Sequence, residues 1–556
     1  MQKDKRVSMG LIGAIIGVIT FLLLYGVTPL NVVNDSWILQ GYDELDIVQH
    51  YAGWLHFRNS RWSFPLMKAS SLAYPTGTVV SFTDSIPFVA ILFKLFSGVL
   101  PETFQYFGIY TLLCYLLQGY YAAKLINHFV DDKLFATCAV PFFTFAPILV
   151  ERAFRHTALG SQWLILAALV IYFEARDEKF GKGIRYDIGF AVLAVLAIGI
   201  HPYFLPMVYG IYFIYMVEKA ISNRKNFQKV IPSAIPLLIS LIVTVAVGYC
   251  LGSLGTGNLM RSGYSAFSMN LNAMWNPSSI GGYKWSLFLK EQNQLPGQYD
   301  GFNYLGLGML FGLCLCVLLI LLSVKKQRIL SFIKENFFLL ALSACYTAFA
   351  VTNVITFNSA SISVPIPEFI YSLCSIFRAS GRIFYPVYYL IVLFVVGFVY
   401  RNLSASKVRK VLVIVFVLCL QLGDMSTVIL GKHLHFLNDT QSTLLNDEYL
   451  AQMVDGKEFL VAMLSADNFE LATFAGKKEI PTNISCANTG DYSRAFGYGA
   501  EQYILVSQGI VAPDKLYVTT DEAGKVELKE IYSTNPVENI ELYETGMYLF
   551  VINTGD

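Results

Sequence analysis

Long apolar runs broken by short polar segments dominate the chain as far as residue 430. Runs of about 15 to 23 apolar residues are the length that crosses a bilayer as a helix. They recur near 9–30, 104–123, 134–150, 158–173, 188–200, 203–217, 231–252, 304–323, 336–356, 385–400 and 411–430. This pattern predicts an α-helical polytopic membrane protein with about eleven transmembrane helices over residues 1–430. The first run follows MQKDKR but is long enough to span and has no small-residue cleavage site before Asn34, so it reads as an anchor and not a signal peptide. Beyond residue 430 the pattern changes. EFLVAML and KLYVTTD alternate as strands do, and AEQYILVSQGIV reads as a strand or short helix, so residues 431–556 are expected to form a small soluble α/β domain.

The partition of charge orients the spans. Lysine and arginine concentrate on the cytoplasmic side of membrane proteins. With the amino terminus inside, the inner segments hold 21 of the 40 basic residues although they are short, and the longer outer loops hold 11. The carboxy-terminal domain is then extracytoplasmic. The segment SIPFVAILFKLFSGVL, 85–100, would reverse every later loop if it spanned. It is therefore expected to be a short helix at the outer interface, with Lys94 snorkelling to head groups.

Composition narrows the classes further. Apolar residues make up 55% of the 556 and charged residues only 14%, where a soluble surface needs about a quarter. A net charge of +1 supplies no field for nucleic acid. Nine cysteines without CxxC spacing give neither a zinc site nor a disulfide framework.

Candidate chemistry gathers on the outer face. Two outer loops, 31–103 and 253–303, are far longer than helix hairpins need, and long loops in compact architectures are usually functional. All six tryptophans, Trp37, Trp54, Trp62, Trp163, Trp275 and Trp285, fall on or beside this face, as anchors or as platforms for flat sugar faces and prenyl tails. Asp46, His50 and Trp54 recur every four residues, one face of a helix that would aim all three at one cavity. Glu151, Arg152, Arg155 and His156 close the outer end of a span, and Arg378 and Arg382 stand four apart before another. Charges at membrane depth are costly and are retained for partners or pathways. Arginine matches phosphate oxygens with a planar fork. Arg378, Arg382, Arg152, Arg155 and His201 are thus candidates for binding a phosphate, and His50, Trp54, Arg58, Asp84 and His156 for binding the rest of a substrate. The structural alternatives are an amphipathic surface helix, a Glu151–Arg155 intrahelical pair and snorkelling arginines.

At these residues the sequence resembles the GT-C superfamily of integral membrane glycosyltransferases. The likeness is architectural: an inside amino terminus, a first span followed by a long acidic loop, interfacial helices, many spans and an outer carboxy-terminal domain. More narrowly, DIVQHYAGWLHFRNSRWSFPL, YPTGTVVSFTDSIPFVAILFK, HTALGSQWLIL, GFNYLGLG and FRASGRIFYPVYYLI resemble a bacterial family of largely uncharacterised membrane proteins near that superfamily. The superfamily resemblance implies a catalytic base early in the first outer loop, where Asp46 is the first choice and Asp43 and Glu44 the alternates. It implies a polyprenyl-phosphate or pyrophosphate sugar donor and an extracytoplasmic glycan or glycolipid acceptor. It also implies that Asp84 orients the acceptor or, with Asp46, holds a divalent cation such as Mg or Mn, which only some members need. The expected reaction is inverting transfer. The competing readings are a transporter or flippase, whose charges would lie near the midplane with internal repeats, and a non-catalytic envelope assembly protein. A hydrolase has no support, since GxSxG and HExxH are both missing.

Overall fold

The computed structural model describes residues 2–39, 46–180, 183–222, 227–254, 263–437, 444, 447–464, 468–487 and 491–555. The chain is mostly helical and divides into two compact units.

The first unit comprises Met1–Leu30, Phe107–Val247 and Met260–Leu437. Helices fall in every one of the eleven apolar ranges. Among the described residues five are long and apolar enough to cross a membrane: Ser8–Tyr25, Thr157–Asp177, Phe204–Ser222, Ala234–Leu251 and Ser380–Asn402. The number rises to eight if each of three bent pairs is one span: Lys133–Thr144 with Pro147–Arg155, Lys326–Glu335 with Phe337–Val351, and Lys407–Asp424 with Ser426–His435, bent by 46°, 77° and 55°. The expected count of eleven is thus matched by up to eight spans among the described residues. Leu307–Ser323 is only 17 residues long, because Gly306, at φ 84°, starts the helix late. The break before Pro147 places proline at the first helical position, where its missing N–H costs nothing.

The first helix, Gln2–Tyr25, packs along Phe107–Phe129 through glycine contacts. A Cβ on Gly13 would stand 2.1 Å from the Gly119 carbonyl oxygen, and one on Gly17 2.0 Å from that of Tyr115. Small residues four apart let two backbones approach this closely in lipid, where dispersion and not water exclusion holds helices together.

The second unit comprises Asn31–Tyr106, Gly248–Leu259 and Asn438–Asp556. Its sheet runs Phe459–Ala462, Lys515–Thr519, Tyr548–Asn553, Ile540–Thr545, with the first pair parallel and the others antiparallel. Successive strand residues face opposite sides. Tyr517 and Val551 pack on one side with Val506 and Leu528 of the helices Ser493–Ser507 and Glu522–Thr534. Leu516, Val518 and Phe550 pack on the other side with Leu471 and Phe474 of the helix Phe469–Lys477. The stretch AEQYILVSQGIV is thus mainly helical.

Residues 31–103, grouped by the sequence pattern with the membrane part, share this core instead: Ala52 and Leu72 belong to the same buried cluster as Leu516 and Phe550. The helix Asp46–Asn59 lies against Phe469–Lys477. His56 Nε2 meets the Ala472 carbonyl at 2.9 Å, Asn59 Nδ2 donates to the Gly476 carbonyl at 3.2 Å, and Lys477 pairs with Asp35 at 2.5 Å.

Segment 85–100 forms the short helix Pro87–Lys94 followed by a turn at Ser97–Val99, and Leu92, Leu95, Phe96 and Val99 are exposed. Lys94 corrects the expectation. Its side chain does not snorkel; it is buried, with Nζ 3.9 Å from the Phe57 ring centre and 4.6 Å from that of Trp62. Two aromatic faces offer the ammonium a partner inside the unit.

Candidate functional site

Five charged side chains meet inside the first unit, all at least nine-tenths buried: Glu151, Arg152, Arg155, Asp300 and Arg382. The helix Pro147–Arg155 supplies three of them from its last turns. Asp300 comes from the turn Gln298–Gly301, and Arg382 from the turn Ser380–Phe384 that leads into a span.

Two glycines and an asparagine bring these turns together. A Cβ on Gly381 would lie 2.5 Å from the Gly301 Cα, so neither turn tolerates a side chain at the crossing. Asn303 Nδ2 donates to the carbonyls of Gly301 at 3.0 Å and Gly381 at 3.1 Å, tying one turn to the other. The residue next to each glycine then faces its counterpart. Arg382 Nη2 donates to Asp300 Oδ2 at 2.8 Å and Oδ1 at 3.1 Å. Arg152 Nη2 donates to the Asp300 carbonyl at 2.9 Å and also to its Oδ1. Arg152 Nε lies 2.7 Å from Glu151 Oε2 and donates to the Tyr385 hydroxyl at 3.0 Å, while Arg155 Nη1 donates to Glu151 Oε1 at 2.6 Å. The guanidinium of Arg155 stands over Tyr299 at 5.4 Å and that of Arg382 over Tyr203 at 5.0 Å.

Among the described residues three guanidiniums face two carboxylates here, and all five groups are buried. Burial alone would raise the Asp300 pKa, but the Arg152 and Arg382 guanidiniums hold it well below the usual carboxylate range. Among the described residues Arg152 Nη1 has no hydrogen-bond partner. A buried donor left in this way favours an anion that can accept from it.

The other phosphate candidates sit at the margin. His201 is buried and its Nδ1 accepts from the Tyr203 N–H at 3.2 Å. The Tyr203 hydroxyl in turn accepts from the Ala379 N–H at 2.9 Å, so His201 connects with the Arg382 turn through Tyr203. Arg378 is half-buried over Phe267 at 5.6 Å. It shares no helix face with Arg382, because the backbone breaks at Ala379. His156 follows the Pro147–Arg155 helix and is half-buried.

In the second unit, Asp46 is the first residue of the helix Asp46–Asn59 and is half-buried. Asp43 and Glu44 lie outside the described residues. The Asp46, His50, Trp54 stripe does not line an open face, since Ile47 to Phe57 are all buried. Trp54 donates from Nε1 to the Phe104 carbonyl at 2.9 Å and packs edge-on against Tyr106 at 5.2 Å. It wedges the loop and leaves no face for a sugar. Of the six tryptophans only Trp62 is exposed, at 48%. Arg58 spends its donors on the carbonyls of Glu102 at 2.8 Å and Leu100 at 3.1 Å, closing the end of the loop.

Asp84 is drawn to His50. Gly53 lets Thr83 and Ser85 reach the helix backbone, where Ser85 Oγ donates to the His50 carbonyl at 2.6 Å. A carboxylate oxygen of Asp84 and a ring nitrogen of His50 come within 4.8 Å.

The sequence pattern passed over Asp300. Its signal is slight: one carboxylate between Gly297 and Gly301 in QYDGFNYLG, with no cation near it along the chain. Residues 14–426 match the family model described as Domain of unknown function (DUF6311). No curated protein matches the chain.

Proposed function

The chain belongs to this family of unknown function, and we propose that it is an integral membrane glycosyltransferase. Its donor would be a polyprenyl-phosphate or polyprenyl-pyrophosphate sugar, and its acceptor an extracytoplasmic glycan or glycolipid. The observation that carries the reading is the fully buried guanidinium of Arg152, whose Nη1 has no partner among the described residues, at the end of a broken span. Such a site suits a lipid-linked phosphate, whose charge grows as the sugar departs. The basic loops support an inside amino terminus, eleven crossings and a carboxy-terminal domain outside.

In the proposed step Asp46 takes the proton of an acceptor hydroxyl, and that oxygen attacks the anomeric carbon from the side opposite the donor phosphate. The new glycosidic bond forms as the bond from carbon to phosphate oxygen breaks, and the lipid phosphate leaves with the electron pair. Arg152 and Arg155 carry the charge that meets it. Arg382, whose fork holds Asp300, acts as a positioning residue for Arg152. A divalent cation suits Asp84 and His50 by donor type and would supply further charge neutralisation when bound.

The test uses membranes from an overexpressing strain, supplied with a panel of radiolabelled polyprenyl-phosphate and polyprenyl-pyrophosphate sugars. Native protein should consume at least one donor and Asp46→Asn should not. Full transfer by Asp46→Asn, Asp43→Asn and Glu44→Gln alike would remove the proposed base. Donor that is bound and moved between leaflets without being consumed would make the protein a flippase.

A further inference from the structure

A cavity of about 870 Å³ opens in the first unit, and none of the five charged residues of the Asp300 cluster lines it. It lies within the volume range of ligand sites, about 300–1,000 Å³. Phe173, Leu339, Leu390 and Phe394 contribute to an apolar lining, with Arg328 and Arg401 among the few charged members. The helix Tyr385–Asn402 forms one wall, from Val387 to Asn402. At about 1.5 Å per residue that wall is about 22 Å long, against about 15 Å for half of a bilayer's hydrocarbon core. Arg382 stands just before the start of this helix and Arg401 near its end, so the charged mouth of the cavity is about 27 Å from the buried cluster.

The mouth is built for a head group. Lys326–Glu335 turns by 77° from the next helix, as a helix lying along an interface would. Its Ile329, Phe332 and Ile333, at helical spacing, line the cavity, and Arg328 stands among them. Arg401 is steadied by its own wall, with Nε 3.3 Å from the Phe129 carbonyl and the guanidinium 5.4 Å from the Phe129 ring centre. Both arginines are exposed. Glu335 also lines the cavity, and its Oε1 accepts from Ser331 Oγ at 3.3 Å. Two cations at the end of an apolar groove, against one carboxylate, match a molecule with an anionic head and a hydrocarbon tail.

We propose that this groove is a binding site for an anionic phospholipid, its phosphate held by Arg328 and Arg401 and an acyl chain lying along Val387 to Asn402. The site is separate from the donor site and does not depend on the transferase reading.

The full-length protein, purified in detergent and delipidated, is tested with phosphatidylglycerol and with phosphatidylcholine of the same chains. Two readouts apply: the shift in unfolding temperature and the lipid retained per protein by native mass spectrometry. Phosphatidylglycerol should give about twice the shift of phosphatidylcholine or more, as expected when a ligand binds only the folded state. In Arg328→Ala/Arg401→Ala the preference should vanish while the lipid-free unfolding temperature stays unchanged, because both side chains are at the surface. Gly397→Leu places a side chain in the groove, where the new Cβ meets only Phe129 Cβ at 3.6 Å, and should lower retention of both lipids. Equal shifts for the two lipids on native protein would overturn the proposal, as would a preference that survives in the double variant. Unchanged retention in Gly397→Leu would show that the chain lies elsewhere.

Discussion

Asp300 fills the fork of Arg382: Nε and Nη2 donate to its carboxylate at 2.8 to 3.3 Å, across 82 residues of chain. The same carboxylate receives Arg152, so a single anion keeps two buried guanidiniums paired.

Asp300→Asn is therefore expected to lower stability by about 3–5 kcal/mol, the usual consequence of stranding a buried partner. Arg382→Gln should do the same from the other side. The two together should cost less than the sum of the single changes, and thermal unfolding of the four proteins in detergent measures the difference. Strict additivity would mean that the pair contributes no coupling.

Gly381→Ala puts a Cβ 2.5 Å from the Gly301 Cα, with backbone on both sides and no flexible side chain to yield. A loss of about 1–3 kcal/mol is expected, with a fall in any transfer activity, since the Asp300 and Arg382 turns are pushed apart. Gly397→Ala is the control. Its Cβ finds ordinary contact at 3.6 Å, and the helix gains up to about 1 kcal/mol. Equal losses in the two variants would contradict the role given to the crossing.

His56 is buried among neutral groups, and burial pulls its pKa down to about 4. Its Nε2–H donates to the Ala472 carbonyl and Nδ1 faces the Ser71 hydroxyl at 3.0 Å. The unfolded chain binds a proton near pH 6.5 and the folded protein does not until about pH 4. Stability is therefore full above pH 6.5 and declines as pH falls toward 4, by about 3 kcal/mol in all. Hydrogen exchange in the Phe469–Lys477 helix, followed against pH, should show this slope in native protein and a flatter one in His56→Gln.

Lys94 is held between Phe57 and Trp62, and burial pulls its pKa down to about 8. Between pH 8 and 10.5 the unfolded chain binds more protons than the folded one, so stability rises with pH across that window. Lys94→Met keeps the length and removes the buried charge. It should match or exceed the native stability at pH 7, while Lys94→Glu should fall below it, as read by thermal unfolding. A large loss in Lys94→Met would mean that the cation–aromatic contact outweighs the cost of burying the amine.

Much of this protein is legible in one dimension. Helices fall in every apolar run because a span satisfies its own backbone hydrogen bonds and needs only about twenty residues of composition to specify it. The strands Phe459–Ala462 and Lys515–Thr519 show themselves as short apolar, β-branched runs, because helices cover the sheet on both faces. Glu151 and Arg155, one helical turn apart, could be paired from spacing alone.

The rest required the folded chain. Asp300 has no local signal, because its partners Arg152 and Arg382 are 148 and 82 residues away and meet it only where Gly301 crosses Gly381. The tryptophan pattern on one side of the chain left interfacial anchors and platforms for sugars or prenyl tails as alternatives, yet Trp37, Trp54 and Trp285 are fully buried, since hydropathy does not distinguish an indole facing a ligand from one wedged into a core. Lys94 looked like a head-group anchor until Phe57 and Trp62 closed over it. Sequence by itself determined where the chain is helical, where these short strands run, and how its basic residues divide between loops, all properties of neighbouring residues. Tertiary structure decided which charges are neutralised and that the first long loop shares a core with the carboxy-terminal sheet, because both depend on contacts between segments that chain order holds far apart.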